Sequence, residues 1–163
     1  MQERIDRSVK LISNILFAIG LAALAGIMFL TVADVLGRYL GHSIIGAYQI
    51  SEIMELWMIC LAWPFAEAID VHIRMDIVVS RFSQRIQNRI DIFTYILTLV
   101  VFGFITWQGF ELVKRNFELG ELVGIIGIPL SPFQVVIFIG AGANCLVLFS
   151  KLLKLFTYLR KDE

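Results

Sequence analysis

The chain has 163 residues, 58% of them hydrophobic and 17% charged, with a mean hydropathy of +0.80. A soluble domain carries roughly 45–50% apolar and about 25% charged residues, so this joint excess and deficit points to lipid as the solvent. Fourteen basic residues balance fourteen acidic ones, leaving no basic surplus to hold nucleic acid, and Cys60 and Cys145 both lie inside apolar runs. A soluble enzyme, a nucleic-acid binder and a secreted disulfide scaffold are therefore poor fits, and the length suits a single domain.

In chain order, the first uncharged run covers residues 11–33. It exceeds the ~20 residues that carry a helix across hydrocarbon, and it is far longer than the ~7–15 apolar residues of a signal peptide. The second run, residues 44–69, holds Glu52, Glu55 and Glu67, and Pro64 is expected to kink it by removing a backbone donor. The third and fourth runs cover residues 91–112 and 132–153. Backbone polar groups in lipid must be satisfied within the segment, so all four are expected to be helices. The expected fold is an all-α membrane domain over residues 1–163, with four transmembrane helices.

Between the second and third runs, Val78, Phe82, Ile86 and Ile90 recur every fourth residue beside a stripe of Arg81, Arg85 and Arg89. This pattern predicts a basic amphipathic helix over residues 75–90, lying on the leaflet with Arg74 and the three stripe arginines against anionic phospholipid. Basic residues also give an orientation. Eleven flank the first span's start, the loop after the second span and the end of the fourth, whereas Arg38, Lys114 and Arg115 stand in the other two loops. Both termini are thus expected on the cytoplasmic side.

Glu52 and Glu55 share one helix face at spacing i, i+3 and are expected inside the second span. Intramembrane carboxylates are costly and normally have a partner or a task. Two readings stay open: coupling to protons or sodium, and structural pairing with a cation, either Arg38 or one from another subunit. Small residues crowd the first span (Gly20, Ala22, Ala23, Ala25, Gly26) and the fourth (Gly140 to Ala143), where Asn144 is expected to bond across a helix interface. The two histidines, His42 in the outer loop and His72 past the inner end of the second span, are expected a bilayer thickness of ~30 Å apart, which excludes a shared haem iron. No nucleophile–base pair and no metal-ligand spacing stands in the sequence, so no cofactor, no metal and no enzymatic activity are expected.

Four landmarks occur in order: Arg38-Tyr39 after the first span, Gly46-Ala47-Tyr48-Gln49-Ile50-Ser51-Glu52 at the head of the second, His72-Ile73-Arg74-Met75-Asp76 at its exit, and Gly127-Ile128-Pro129-Leu130-Ser131-Pro132-Phe133 leading into the fourth. In this order and spacing the chain resembles, over nearly its whole length, the small membrane subunit (DctQ-like) of the tripartite ATP-independent periplasmic (TRAP) transporters. It departs from that family at Glu67-Ala68-Ile69-Asp70-Val71, where a basic, glycine-containing turn is usual.

The resemblance implies a bacterial inner-membrane protein with two protein partners: a large, sodium-driven, elevator-type membrane subunit that holds the substrate and ion sites, and a periplasmic substrate-binding protein that delivers an organic acid. The small subunit would brace the large one. Under that reading Arg38, Glu52, Glu55, His72, Asp76 and Asn144 are candidates for the subunit interface or for structural pairing. His42, Glu118 and Glu121, on the outer loops, are candidates for docking the binding protein. The alternative is a stand-alone proton-coupled four-helix exporter, with Glu52 or Glu55 as its coupling carboxylate.

Overall fold

A computed structural model of the protein describes residues 2–69 and 84–159. Four long helices follow one another: α1 (Gln2–Tyr39), α2 (Ala47–Ala68), α3 (Gln84–Leu119) and α4 (Ser131–Leu159). Between α3 and α4 sits a small antiparallel hairpin, β1 (Leu122–Val123) with β2 (Ile128–Pro129), pairing Leu122 with Pro129 and Val123 with Ile128. The apolar runs of the sequence form the middles of these helices, which continue into charged sequence because a helix already nucleated extends at little cost. Residues 113–119, read from sequence as outer loop, are the last turns of α3, and residues 84–90, read as part of a separate surface helix, are its first turns. The rest of that predicted surface helix, with Arg74 and Arg81, lies outside the described residues.

Helix α2 is packed against α1 on one side and α4 on the other, while α3 leans chiefly on α4. The chain reverses at each connection described, so α2 and α4 both start at the hairpin end and run side by side in the same direction. Ring contacts mark the seams: Phe17 stacks on Phe65 at 4.0 Å, Trp63 meets Phe102 edge-on at 5.3 Å, and Phe110 tilts against Phe138 at 6.0 Å.

Polarity is arranged inside out relative to a soluble bundle. Phe29, Phe93, Phe104 and Trp107 point outward, whereas Ser13, Asp34, Glu67, Asn116, Asn144 and Ser150 are buried. Such an outer surface is stable against hydrocarbon and would be an aggregation surface in water. Hydroxyls on the helices turn back to their own backbone: Ser13 donates to the Val9 carbonyl, Thr98 to Thr94 and Thr106 to Phe102. That geometry hides a polar atom without needing a partner helix. Three stretches, Val9–Tyr39, Arg89–Leu119 and Ser131–Leu155, are long and apolar enough to cross a membrane. Helix α2 is not among them, because Glu52, Glu55 and Glu67 lower its hydropathy.

Two contacts in the second half of α2 fix it against α4. Pro64 has no N–H to donate to the Cys60 carbonyl one turn earlier, and that freed oxygen lies against Gly140, where a side chain would collide with it. Further along, Lys151 reaches from α4 to Glu67, with Nζ to Oε1 at 3.0 Å and a second bond to the Glu67 backbone carbonyl. Side-chain exposures of 15% and 6% make this a buried ion pair. The acidic stretch that departs from the family pattern therefore has a counter-charge 84 residues away.

Removing one member of a buried pair deprives the other of a charge partner. Lys151→Met is expected to cost about 3 kcal/mol, and Lys151→Met with Glu67→Met much less than that. Unfolding in mixed micelles of dodecyl sulfate and a non-ionic detergent checks this; additive losses in the double variant would refute it.

Candidate functional site: the hairpin end and the acidic face of α2

The loop between α1 and α2 is folded back on α1 by one buried carboxylate. Asp34, 7% exposed, accepts a hydrogen bond from Arg38 Nε at 2.8 Å through Oδ2 and from the Ile44 backbone N–H at 3.0 Å through Oδ1. The Arg38 side chain is 65% exposed beyond that bond. Sequence reasoning offers Arg38 as one of two possible partners for Glu52 or Glu55; the nearer acid, one helical turn back, is its partner in the structure. Asp34 was missed because it stands one residue past the uncharged run and reads as a span end. The signal available was its i, i+4 spacing to Arg38.

The loop and the hairpin meet over the start of α2. Gly46, at φ +80°, precedes α2 in a left-handed conformation, and Ile126 at the hairpin tip approaches so closely that a Cβ on residue 46 would lie 2.5 Å from its Cγ1. Gln49 packs beside Gly124. Within the hairpin the Val123 carbonyl accepts from both Ile126 and Gly127 N–H groups at 3.0 Å, and the Leu130 N–H donates to the Glu121 carbonyl at 2.9 Å. Just below, the Trp57 indole donates to the Phe133 carbonyl at 3.1 Å, with the two rings 6.4 Å apart. Asn116 of α3 donates to the Gln134 side-chain oxygen of α4 at 2.7 Å. Two of the sequence landmarks, Gly46 to Glu52 and Gly127 to Phe133, thus form one packed cap.

Glu52 and Glu55 are exposed on α2, on one stripe with exposed Tyr48 and Ile59. Tyr48 stands one helical turn before Glu52, and among the described residues neither carboxylate has a cation in bonding distance. Because α2 starts at Ala47 rather than residue 44, they lie only about 8 and 12 Å along the helix. His42, Glu118 and Glu121 are exposed at the hairpin end. Arg89 is exposed near the start of α3, and Arg85 belongs to the same helix. His72 and Asp76 lie outside the described residues. Asn144, expected to bond across an interface, is instead fully buried with neither amide atom hydrogen-bonded among the described residues. Among the described residues no three His, Cys, Asp or Glu side chains gather as metal ligands would.

An apolar exterior over helices of membrane-spanning length, with the polar side chains turned inward, defines an α-helical integral membrane protein. The profile of the DctQ component of tripartite ATP-independent periplasmic transporters matches residues 27–157, which is most of the chain. The chain belongs to that family. No curated protein matches it.

The loop hinge gives a local test. In Asp34→Ala the Ile44 N–H loses its acceptor, and its amide hydrogen exchange is expected to accelerate about tenfold, for a bond of roughly 1–2 kcal/mol, while amides in the middle of α4 stay unchanged. Equal exchange at Ile44 in both proteins would show that the carboxylate does not hold the loop.

Proposed function

We propose that the chain is the small scaffold subunit of a sodium-coupled, binding-protein-dependent transporter that imports an organic acid, and that it braces the large elevator-type subunit in the bacterial inner membrane. In this reading α2 crosses the bilayer with the other three helices. Its 22 residues reach about 33 Å, matching ~30 Å of hydrocarbon, and its flanks against α1 and α4 are covered by protein. Both termini face the cytoplasm, as the placement of Lys and Arg supports. Arg74, Arg81, Arg85 and Arg89 then meet the phospholipid headgroups of the inner leaflet, and the hairpin end faces the periplasm.

The observation that carries the reading is the acidic stripe on α2. Carboxylates on the outer face of a membrane helix cost a few kcal/mol when they face lipid. Glu52 and Glu55 have no bonded cation within the described chain, so a second protein that supplies one gains affinity and a fixed register from them. A large subunit docked there would also cover Tyr48 and Ile59. An elevator transporter needs a stationary frame, and a helical bundle held against its scaffold domain widens that frame. His72, Asp76 and Asn144 are assigned to structural support or to contacts with the large subunit, and one small subunit serves one large one.

The decisive experiment is uptake into liposomes under a sodium gradient, by this chain alone and with its large subunit and binding protein. Uptake is expected only when all three parts are present, and Glu52→Gln with Glu55→Gln is expected to lower co-purification of the large subunit by tenfold or more, about 1.4 kcal/mol. Proton-driven transport by the chain alone would replace this reading with the exporter, whose site those carboxylates would be.

The exposed residues His42, Glu118 and Glu121 are proposed as part of the surface that receives the binding protein. Reversing the charge of Glu118 and Glu121 to Lys is expected to raise the binding-protein concentration needed for half-maximal uptake about tenfold, without changing complex assembly. An unchanged concentration dependence would remove these residues from the docking surface.

A further inference from the structure

A groove of about 640 Å³ runs along the hairpin-side half of α3, where that helix meets Ile137 of α4. Its lining changes character with position. Phe104, Ile105 and Leu112, with Ile137, make a mainly apolar wall interrupted by Gln108, and Glu111, Lys114, Arg115 and Glu118 make a charged rim toward the hairpin. Gly109 sets the floor, since a Cβ there would stand 3.1 Å from the Ile137 side chain. At ~1.5 Å per residue the apolar stretch covers about 12 Å and the charged stretch about 10 Å. A bilayer leaflet presents the same sequence of environments, ~15 Å of hydrocarbon followed by several ångströms of headgroup.

The rim holds two cations and two anions. Their i, i+4 spacing would let Glu111 meet Arg115 and Lys114 meet Glu118, yet among the described residues no ion pair or hydrogen bond occupies any of the four side chains. Both signs of charge are open to a ligand at the top of an apolar channel.

We infer that this groove binds one phospholipid molecule with a zwitterionic, primary-ammonium headgroup. An acyl chain lies along Phe104, Ile105 and Leu112. The phosphate oxygens accept hydrogen bonds from Lys114 and Arg115, and the ammonium donates to Glu111 and Glu118. An anionic headgroup would satisfy the cations but set its net charge against two glutamates. A quaternary ammonium has no N–H to donate to them. Charge complementarity therefore selects phosphatidylethanolamine chemistry over phosphatidylglycerol and phosphatidylcholine.

The test is native mass spectrometry of the full chain released from non-ionic detergent and titrated with each of these three lipids at equal acyl composition. Phosphatidylethanolamine is expected to be retained about tenfold more tightly than the other two, and the variant Lys114→Gln with Arg115→Gln to lose that advantage. The variant Glu111→Gln with Glu118→Gln is expected to erase the discrimination between ethanolamine and choline headgroups. Equal retention of all three lipids by the unmodified chain overturns the inference without any variant, as does indifference to both pairs of substitutions in protein of unchanged helicity. A photo-reactive side chain at position 104 that captures the large subunit in place of lipid in intact membranes would also overturn it.

Discussion

Everything in this bundle follows from the loss of the hydrophobic effect as a force between helices. In hydrocarbon, an apolar side chain gains nothing by leaving lipid for protein, so cohesion must come from close backbone approach and from polar groups that lipid cannot serve. The structure uses both at the α2–α4 seam. Gly140 admits the Cys60 carbonyl that Pro64 leaves without an intrahelical donor, and Lys151 meets Glu67 one turn past the proline. A proline that would weaken an isolated helix thus coincides with its tightest neighbour contact.

The hairpin end shows the same economy in a different setting. A single carboxylate, Asp34, holds both the guanidinium of Arg38 and the N–H of Ile44, so one side chain fixes the direction in which the chain turns out of α1. The hairpin then rests on Gly46 and Gln49, and Trp57 ties the first turn of α4 to the middle of α2. Within the hairpin the two N–H groups held by the Val123 carbonyl and the Leu130 N–H bond to Glu121 add backbone bonds to its two residue pairs. The result is a packed platform at one end of a bundle whose sides are largely apolar apart from the acidic stripe of α2 and the groove on α3.

Sequence reasoning reached the helical membrane class and the family because both rest on long-range regularities: uninterrupted apolar runs and the order of the landmarks. It missed what depends on a single contact in space. The expected spans 44–69 and 132–153 each end two residues past Glu67 and Lys151 on the same side, but nothing in the sequence selects Lys151 as the partner over the other basic residues there. Arg38 has three acids within seventeen residues on the chain, Asp34, Glu52 and Glu55, and helical spacing selects the nearest. The hairpin over Leu122–Pro129 was read as loop because each strand has two residues, too few for any alternation to register. Asn144 is the opposite case: a mid-helix amide suggests a cross-helix bond, and here the close packing of α4 buries it without one.

The seam between α2 and α4 has a consequence for how the protein is made. Its polar contacts join residues 76 and 84 positions apart, so the second helix leaves the ribosome long before the fourth exists. During that interval Glu67 has no Lys151 and Trp57 has no Phe133 carbonyl. The seam can therefore close only once residue 151 has been made, and until then Glu67 lacks this ion pair. Ribosome pausing, chain truncation or premature release between residues 69 and 151 would leave a chain whose second helix lacks both the ion pair and the indole bond that fix it against the fourth.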